Sequence, residues 1–212
     1  MKTKQFISLI SISLGVFALL LAAALWLYND IEETIAAEYS ERASQAILYH
    51  IKTIPNINNP FIGGNPLTDD NPPEEINTEA VFYINEKAYI GILSIPRLEL
   101  DLPVAGEWNY EELKNTPCRY SGSIADNNMV IAAHNYKKHF ANIRRLKRGD
   151  LILFTDVNGV EITYRVAGVK TVQPSAVEEV TDSGFDLTLF TCTYDRSARV
   201  VVYAERESKE II

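Results

Sequence analysis

Cys192 closes an apolar, β-type run, Leu187-Thr188-Leu189-Phe190-Thr191-Cys192, and Arg199 opens the next one, Arg199-Val200-Val201-Val202-Tyr203. A polar turn, Thr193-Tyr194-Asp195-Arg196-Ser197-Ala198, separates them. If Asp195 and Arg196 form the tip of a tight hairpin, Cys192 and Arg199 become direct cross-strand partners. Such partners have Cβ atoms ~4.5–5.5 Å apart on one face of the sheet. A guanidinium at that distance creates an electropositive setting, which favours thiolate and makes a cysteine nucleophilic. A strand cysteine also serves as buried core filling, and spacing alone leaves both readings open.

A second chemical group lies in Met129-Val130-Ile131-Ala132-Ala133-His134-Asn135, where an apolar strand delivers an imidazole to the start of a loop. Histidine at a strand end is more often structural than catalytic. The other two histidines are weaker candidates. His139 stands among Lys137, Lys138 and Phe140 and reads as part of an exposed turn. His50 falls in an N-terminal helical segment expected to lie far from the β-rich part. Reference pKa values of ~8.5 for Cys and ~6.5 for His favour the neutral pair by about 2.7 kcal/mol, leaving roughly 1% as thiolate and imidazolium. A neighbouring Arg favours the thiolate and disfavours the imidazolium, so the ion pair stays a minority.

Thr188-Leu189-Phe190-Thr191-Cys192, with Arg199 downstream and His134 upstream, resembles the TLxTC signature of sortases, membrane-anchored cysteine transpeptidases of the Gram-positive cell surface. The resemblance runs roughly from Ile90 to Arg206. It takes in the stretch from Ile90 to Val104, the Met129–Asn135 segment and Arg148 to Val166. It implies a mainly β fold, an eight-stranded sortase barrel with short helices behind an N-terminal transmembrane helix. It also implies roles: Cys192 as nucleophile, His134 as general acid and base, Arg199 as oxyanion stabiliser. The implied reaction cleaves a C-terminal sorting signal at a Thr–X bond through a thioester and transfers the acyl group to a cell-wall amine. Implied partners are surface proteins with an LPxTG-like or NPxT-like signal and a peptidoglycan precursor or other amine. The stretch from Val172 to Asp186 matches the family loop that borders the substrate groove. Val172, Glu178 and Glu179, with Leu189 and Thr191 of the signature, are the expected substrate contacts. Some sortases bind calcium between this loop and acids after the His strand. Asn135 to Arg148 carries no Asp or Glu, so neither metal nor cofactor is expected. Two rivals stand beside this reading: a membrane-tethered cysteine hydrolase, and an inactive β-domain serving as scaffold or adhesin.

The rest of the chain must position these groups. Its 212 residues allow one domain plus an anchor and a linker. Phe6 to Leu27 is uncharged and apolar for about 22 residues, enough to cross a ~30 Å hydrocarbon core. Lys2 and Lys4 precede it, and Asp30, Glu32 and Glu33 follow. The positive-inside bias keeps the N-terminus cytoplasmic and puts the domain on the extracellular face. A cleaved signal peptide fits less well, because the apolar run is too long and Ala22-Ala23-Ala24 lies inside it. The organisation read from this is an anchor over 1–29, a juxtamembrane helix over 30–53, a Pro/Asn-rich flexible linker over 54–80 and a catalytic domain over 81–207. The helix is inferred from apolar positions at Ile31, Ile35, Tyr39, Ala43, Ile47 and Ile51. The linker's expected task is to carry the domain away from the bilayer. Within it, Asn65-Pro66-Leu67-Thr68 reads as NPxT, a chance match or a weak pseudosubstrate.

Strands are expected over Ala88–Ser94, Leu100–Val104, Asn128–Ala133, Leu151–Asp156, Glu161–Thr171, Leu187–Cys192 and Arg199–Ala204, with a hairpin turn at Asn158-Gly159 and a helical turn at Glu111–Lys114. The net charge of -8 argues against nucleic acid as a partner. Two cysteines in an exported chain point to a disulfide, but a bridge would consume the thiol placed for chemistry. Both are therefore read as free, with Cys118 as a small packed hydrophobe. A chain ending soon after the last strand, with no C-terminal membrane segment, disfavours the pilin-polymerising class. "AHN" and the juxtamembrane helix lean towards class B, while the compact Val172–Asp186 loop leans towards class A or D.

Overall fold

The computed structural model describes residues 2–54 and 80–207. The Asn65-Pro66-Leu67-Thr68 segment, with nearly all of the expected linker, lies outside the described residues. One continuous helix, α1, runs from Lys2 to Thr53, merging the expected anchor with the juxtamembrane helix. It is long and apolar enough to cross a membrane. Its first half leaves Phe17, Leu19 and Trp26 64%, 73% and 69% exposed, with none of the described residues covering them. Past Glu33 the character changes. Ala36, Ser40, Ala43, Ser44 and Ile47 recur at helical spacing and are all buried. They are small or β-branched, so the helix approaches the β-domain closely, and Ala43 and Ile47 share a cluster with Tyr89, Ile92, Ala105 and Cys118. His50, expected to be remote, stacks on Phe82 with ring centroids 4.1 Å apart. The domain is held directly against the helix. Glu33 lies six residues past Leu27, only ~9 Å along the axis at 1.5 Å per residue.

The β-domain opens with β1 (Phe82–Ile84), β2 (Lys87–Ile95) and β3 (Leu100–Ala105). The short helix α2 (Tyr110–Leu113) follows, its first turn closed by Asn109, whose side chain accepts from the Glu112 amide. Then come β4 (Cys118–Ser121), β5 (Met129–Ala132), β6 (Leu151–Asp156), β7 (Glu161–Val172), the helical turn α3 (Glu178–Thr181), β8 (Leu187–Cys192) and β9 (Arg199–Arg206). The strands pair in the order β1-β2-β3-β4-β5-β8-β9-β7-β6, and β2 also pairs with β6. That last pairing closes β2 through β9 into an eight-stranded barrel, with β1 left outside as a short edge. Closure is tight at Gly91, opposite Asp156. A Cβ there would sit 2.2 Å from the Thr155 carbonyl oxygen, so only glycine lets the two backbones meet.

Two apolar layers flank β8. Leu187 and Leu189 point into the barrel beside Met129, Ile131, Val200, Val202 and Ala204. Phe190 points outward and packs with Val130, Ala132, Val172, Val201 and Tyr203 beneath Val180 of α3. A strand parallel to its neighbour and buried on both faces reads as an unbroken apolar run, which is why β8 is so legible in the sequence. The strands β1 and β4 were not anticipated. Arg119, Tyr120 and Ser121 show no apolar alternation, and β4 holds its place mainly by pairing with β5.

Candidate functional site

The ends of three strands meet in one cross-strand row. Cys192 pairs with Arg199 in the β8–β9 ladder, and Arg199 pairs in turn with Val172 of β7. On the other side of β8, Ala132 is level with Phe190, and the Ala133 amide donates to the Phe190 carbonyl at 3.2 Å. The ladder ends there, and His134, two residues past Ala132, follows it at the end of β8 that carries Cys192, two residues past Phe190. Strand alternation puts the even-numbered β5 and β8 residues on the outer face, the face of Phe190 and Ala132. The row Cys192, Arg199, Val172 therefore crosses the outer wall of the barrel at one end of its apolar patch.

The hairpin that carries Cys192 and Arg199 is wider than expected. Thr193 to Ala198 form a six-residue loop rather than a tight tip, although the Cys192–Arg199 register is the same. Asp195 organises this loop. Its carboxylate accepts from the Thr193 hydroxyl at 2.6 Å and the Ser197 hydroxyl at 2.7 Å. Those hydrogen bonds hold the Asp195 carboxyl down at about 2. Arg196 takes a left-handed backbone conformation (φ 60°), so the loop is built to a set shape.

Cys192 is exposed and free. Arg199 is half-buried, with its guanidinium carbon 5.6 Å from the centre of the Phe190 ring. That stacking holds the cation on the outer face beside the thiol. His134 is half-buried, and its ring stacks on Tyr136 at 5.0 Å. Burial lowers its pKa first, the Arg196 guanidinium lowers it further, and Glu32 of α1 works in the opposite direction. Neutral imidazole is thus favoured at this position.

The remaining expected residues are spread more widely. Val172 belongs to the row and is almost fully buried. Leu189 is 0% exposed inside the barrel, on the opposite face of β8 from Cys192, and is not available to a substrate. Thr191 shares that inward parity, and its buried hydroxyl has no hydrogen-bond partner among the described residues. Glu178 and Glu179 border a cleft of about 510 Å³ with Lys170, Phe185 and Tyr203. Tyr203 is level with Thr188, four residues along β8 from Cys192, so this cleft is set back from the thiol. Cys118 is fully buried, and desolvation pushes its thiol up to about 12.

His139 differs most from expectation: it is fully buried rather than exposed. Its Nε2 lies 3.0 Å from the Ser40 hydroxyl of α1, and that hydroxyl donates to the Asn115 carbonyl at 2.7 Å. With its single proton committed to Asn115, Ser40 must accept from His139 Nε2–H, which leaves Nδ1 bare and without a partner among the described residues. Burial drives this imidazole down to about 4. An aromatic chain also escaped the sequence reading. Phe190 meets Tyr120 edge-on at 5.2 Å, and Tyr120 meets Trp108 at 5.6 Å beside a cleft of about 620 Å³. Phe190 was accessible from its i−2 parity with Cys192; Tyr120 was not, since β4 was not recognised as a strand.

Residues 93–207 match the sequence profile of the Sortase domain. A stretch of 127 residues is 36% identical to Sortase A of Bacillus anthracis, covering 56% of this chain and 60% of that protein's length. Among solved structures, a sortase C of Clostridium perfringens with the C-terminal cell wall sorting motif is similar at 26% identity and a TM-score of 0.50, over 57% of this chain and 71% of that one. The fold is shared with a sortase D5 transpeptidase of Clostridium perfringens, at 21% identity and a TM-score of 0.51, over 57% of this chain and 79% of that one.

Proposed function

This chain belongs to the sortase family, and on that premise we propose that it is a membrane-anchored cysteine transpeptidase acting on a C-terminal sorting signal. The observation that supports it most is the pairing of Cys192 with Arg199 at the end of β8, with His134 following the last residues of the adjacent strand β5. In this reading the Cys192 thiolate attacks the carbonyl carbon of a Thr–X bond. The carbonyl oxygen gains negative charge, which Arg199 and a backbone N–H stabilise. His134 gives its proton to the departing amine, leaving an acyl thioester on Cys192. An incoming amine then attacks the thioester, His134 removes a proton, and Cys192 is regenerated with a new amide bond in the product. Because burial and Arg196 favour neutral imidazole, the thiolate–imidazolium pair is a minor species at rest.

The donor is a surface protein with an LPxTG-like or NPxT-like signal, and the acceptor is a peptidoglycan amine. The solved sortase C carrying a sorting motif lends support to that substrate class. The apolar half of α1 spans the membrane in this account, with Lys2 and Lys4 on the cytoplasmic side and the barrel outside. The test is to incubate the detergent-solubilised chain with a panel of sorting peptides and a glycine or stem-peptide amine. Formation of the amide-linked product is expected. Release of free acid alone would identify a hydrolase, and no reaction with any peptide would identify an inactive scaffold.

A further inference from the structure

Helix α1 reaches the loop that carries His134. After Leu27 the helix turns one face, Glu33, Ala36, Ser40, Ala43 and Ile47, towards the barrel, and the last four are buried. Two polar members of this face make specific bonds. The Lys137 amide donates to Glu33 Oε1 at 2.6 Å. Ser40 accepts from His139 and donates to Asn115, joining the helix, the segment after α2 and the histidine loop at one hydroxyl. The loop itself closes on its first residue, with the Phe140 amide donating to the His134 carbonyl at 3.2 Å. Inside that closed loop, Tyr136 bridges the two imidazoles, 5.0 Å from His134 and 5.6 Å from His139. The loop is anchored at its far end by Phe140, which is buried in the barrel core, while Lys137 and Lys138 before it are exposed and have no such hold. The stretch between His134 and that anchor gains two further fixings from the helix, at the Lys137 amide and at His139.

We infer that the membrane-proximal part of α1 is a working component of the active site, with Glu33 and Ser40 as positioning residues that pin the 135–140 loop and so hold His134 at the end of β8 that carries Cys192. The inference rests on the roles proposed above for His134 and Cys192. General acid–base transfer needs the imidazole within hydrogen-bond reach of the moving proton. A displacement of about 1 Å can cost on the order of 10²-fold in rate. The groups facing His134 are Glu32 from α1, Lys114 just after α2, Arg196 from the β8–β9 loop and Tyr136 from its own loop. Cys192 and Arg199 lie at the same end of β8. Burial is the leading cause of its lowered pKa, so a loosened loop raises the titration midpoint of His134 towards the ordinary imidazole value.

The test uses the full chain in detergent, a sorting peptide that it turns over, and selective isotope labelling of histidine for NMR titration. Glu33→Ala and Ser40→Ala are each expected to lower kcat about 10- to 100-fold, with KM for the peptide little changed. Both are expected to move the His134 midpoint upward. Glu33→Gln keeps an acceptor oxygen and is expected to recover most of the lost kcat. Ser44→Ala is the control, because Ser44 lies on the same helix face but donates to the Asp101 carbonyl, away from the loop. Protection of the buried Cys118 thiol from alkylation reports that each variant is folded. Wild-type kcat and an unmoved His134 midpoint in both alanine variants would overturn the inference, while loss of turnover in Cys192→Ala left the catalytic reading standing. Turnover retained in Cys192→Ala would sink that reading instead, and the His134 midpoint would still decide for or against the helix contact.

Discussion

Replacing His139 by glutamine removes a proton-binding group from a place where a proton is costly. The folded imidazole titrates at about 4, because it is buried and its Nδ1 has no partner among the described residues, whereas an unfolded one titrates near ~6.5. The folded pKa is the lower of the two, so the unfolded chain binds the extra proton first. Stability from this group is complete above pH ~6.5 and is lost as the pH falls through the window between the two values. At ~1.36 kcal/mol per pKa unit, the loss by pH 4 is about 3 kcal/mol. The substituted carboxamide can still donate an N–H to Ser40 but takes up no proton. Urea unfolding of the full chain in detergent, followed by tryptophan fluorescence at pH 7, 6, 5 and 4, compares the slopes of the two proteins. The wild type should lose about 3 kcal/mol more than His139→Gln across that range. Any constant effect of the substitution cancels in this comparison. Parallel curves for the two proteins would refute the argument that His139 is buried as a neutral imidazole.

Arg199→Ala should lower kcat about 10²- to 10³-fold, the usual cost of an oxyanion donor, whereas Arg196→Ala should lose far less. Arg196→Ala should also raise the His134 midpoint, since that guanidinium is one of the groups that lowers it, and the pH profile of kcat/KM reads this directly. At pH 8, alkylation followed by peptide mapping should label Cys192 and spare Cys118, whose thiol is buried and pushed up to about 12. Gly91→Ala should destabilise the barrel by about 2 kcal/mol in thermal unfolding, because the new Cβ meets the Thr155 carbonyl oxygen of β6 at 2.2 Å as well as the Phe154 ring at 2.8 Å.

The pairing of Cys192 with Arg199 was legible because three local patterns agreed. An apolar run buried on both faces announced β8, a second β-branched run announced β9, and their symmetric spacing about Asp195 and Arg196 fixed the partner of Cys192. The apolar strand before His134 was equally plain. What the sequence could not convey is contact between distant segments. Glu33, Ser40 and His139 look like ordinary surface residues in a one-dimensional reading. They matter only because α1 folds back against a loop about a hundred residues away. The stripe of Ala36, Ser40 and Ala43 was a usable hint, since small residues at helical spacing permit close approach, but it names no partner. Leu189 was misplaced for a simpler reason. In the signature it stands three residues from Cys192, and odd spacing along a strand puts it on the other face. The resemblance to a family drew attention to the whole motif; strand parity decides which of its residues a substrate can touch.

The most direct test of the account is intact-mass analysis of the full chain during turnover of a sorting peptide, quenched in acid before the amine is added. The account predicts a mass increase equal to the acyl fragment ending in threonine. That adduct should map to Cys192, disappear with hydroxylamine and pass to an amine as an amide. Turnover in the Cys192→Ala protein, or an acyl adduct on any other residue, would contradict it.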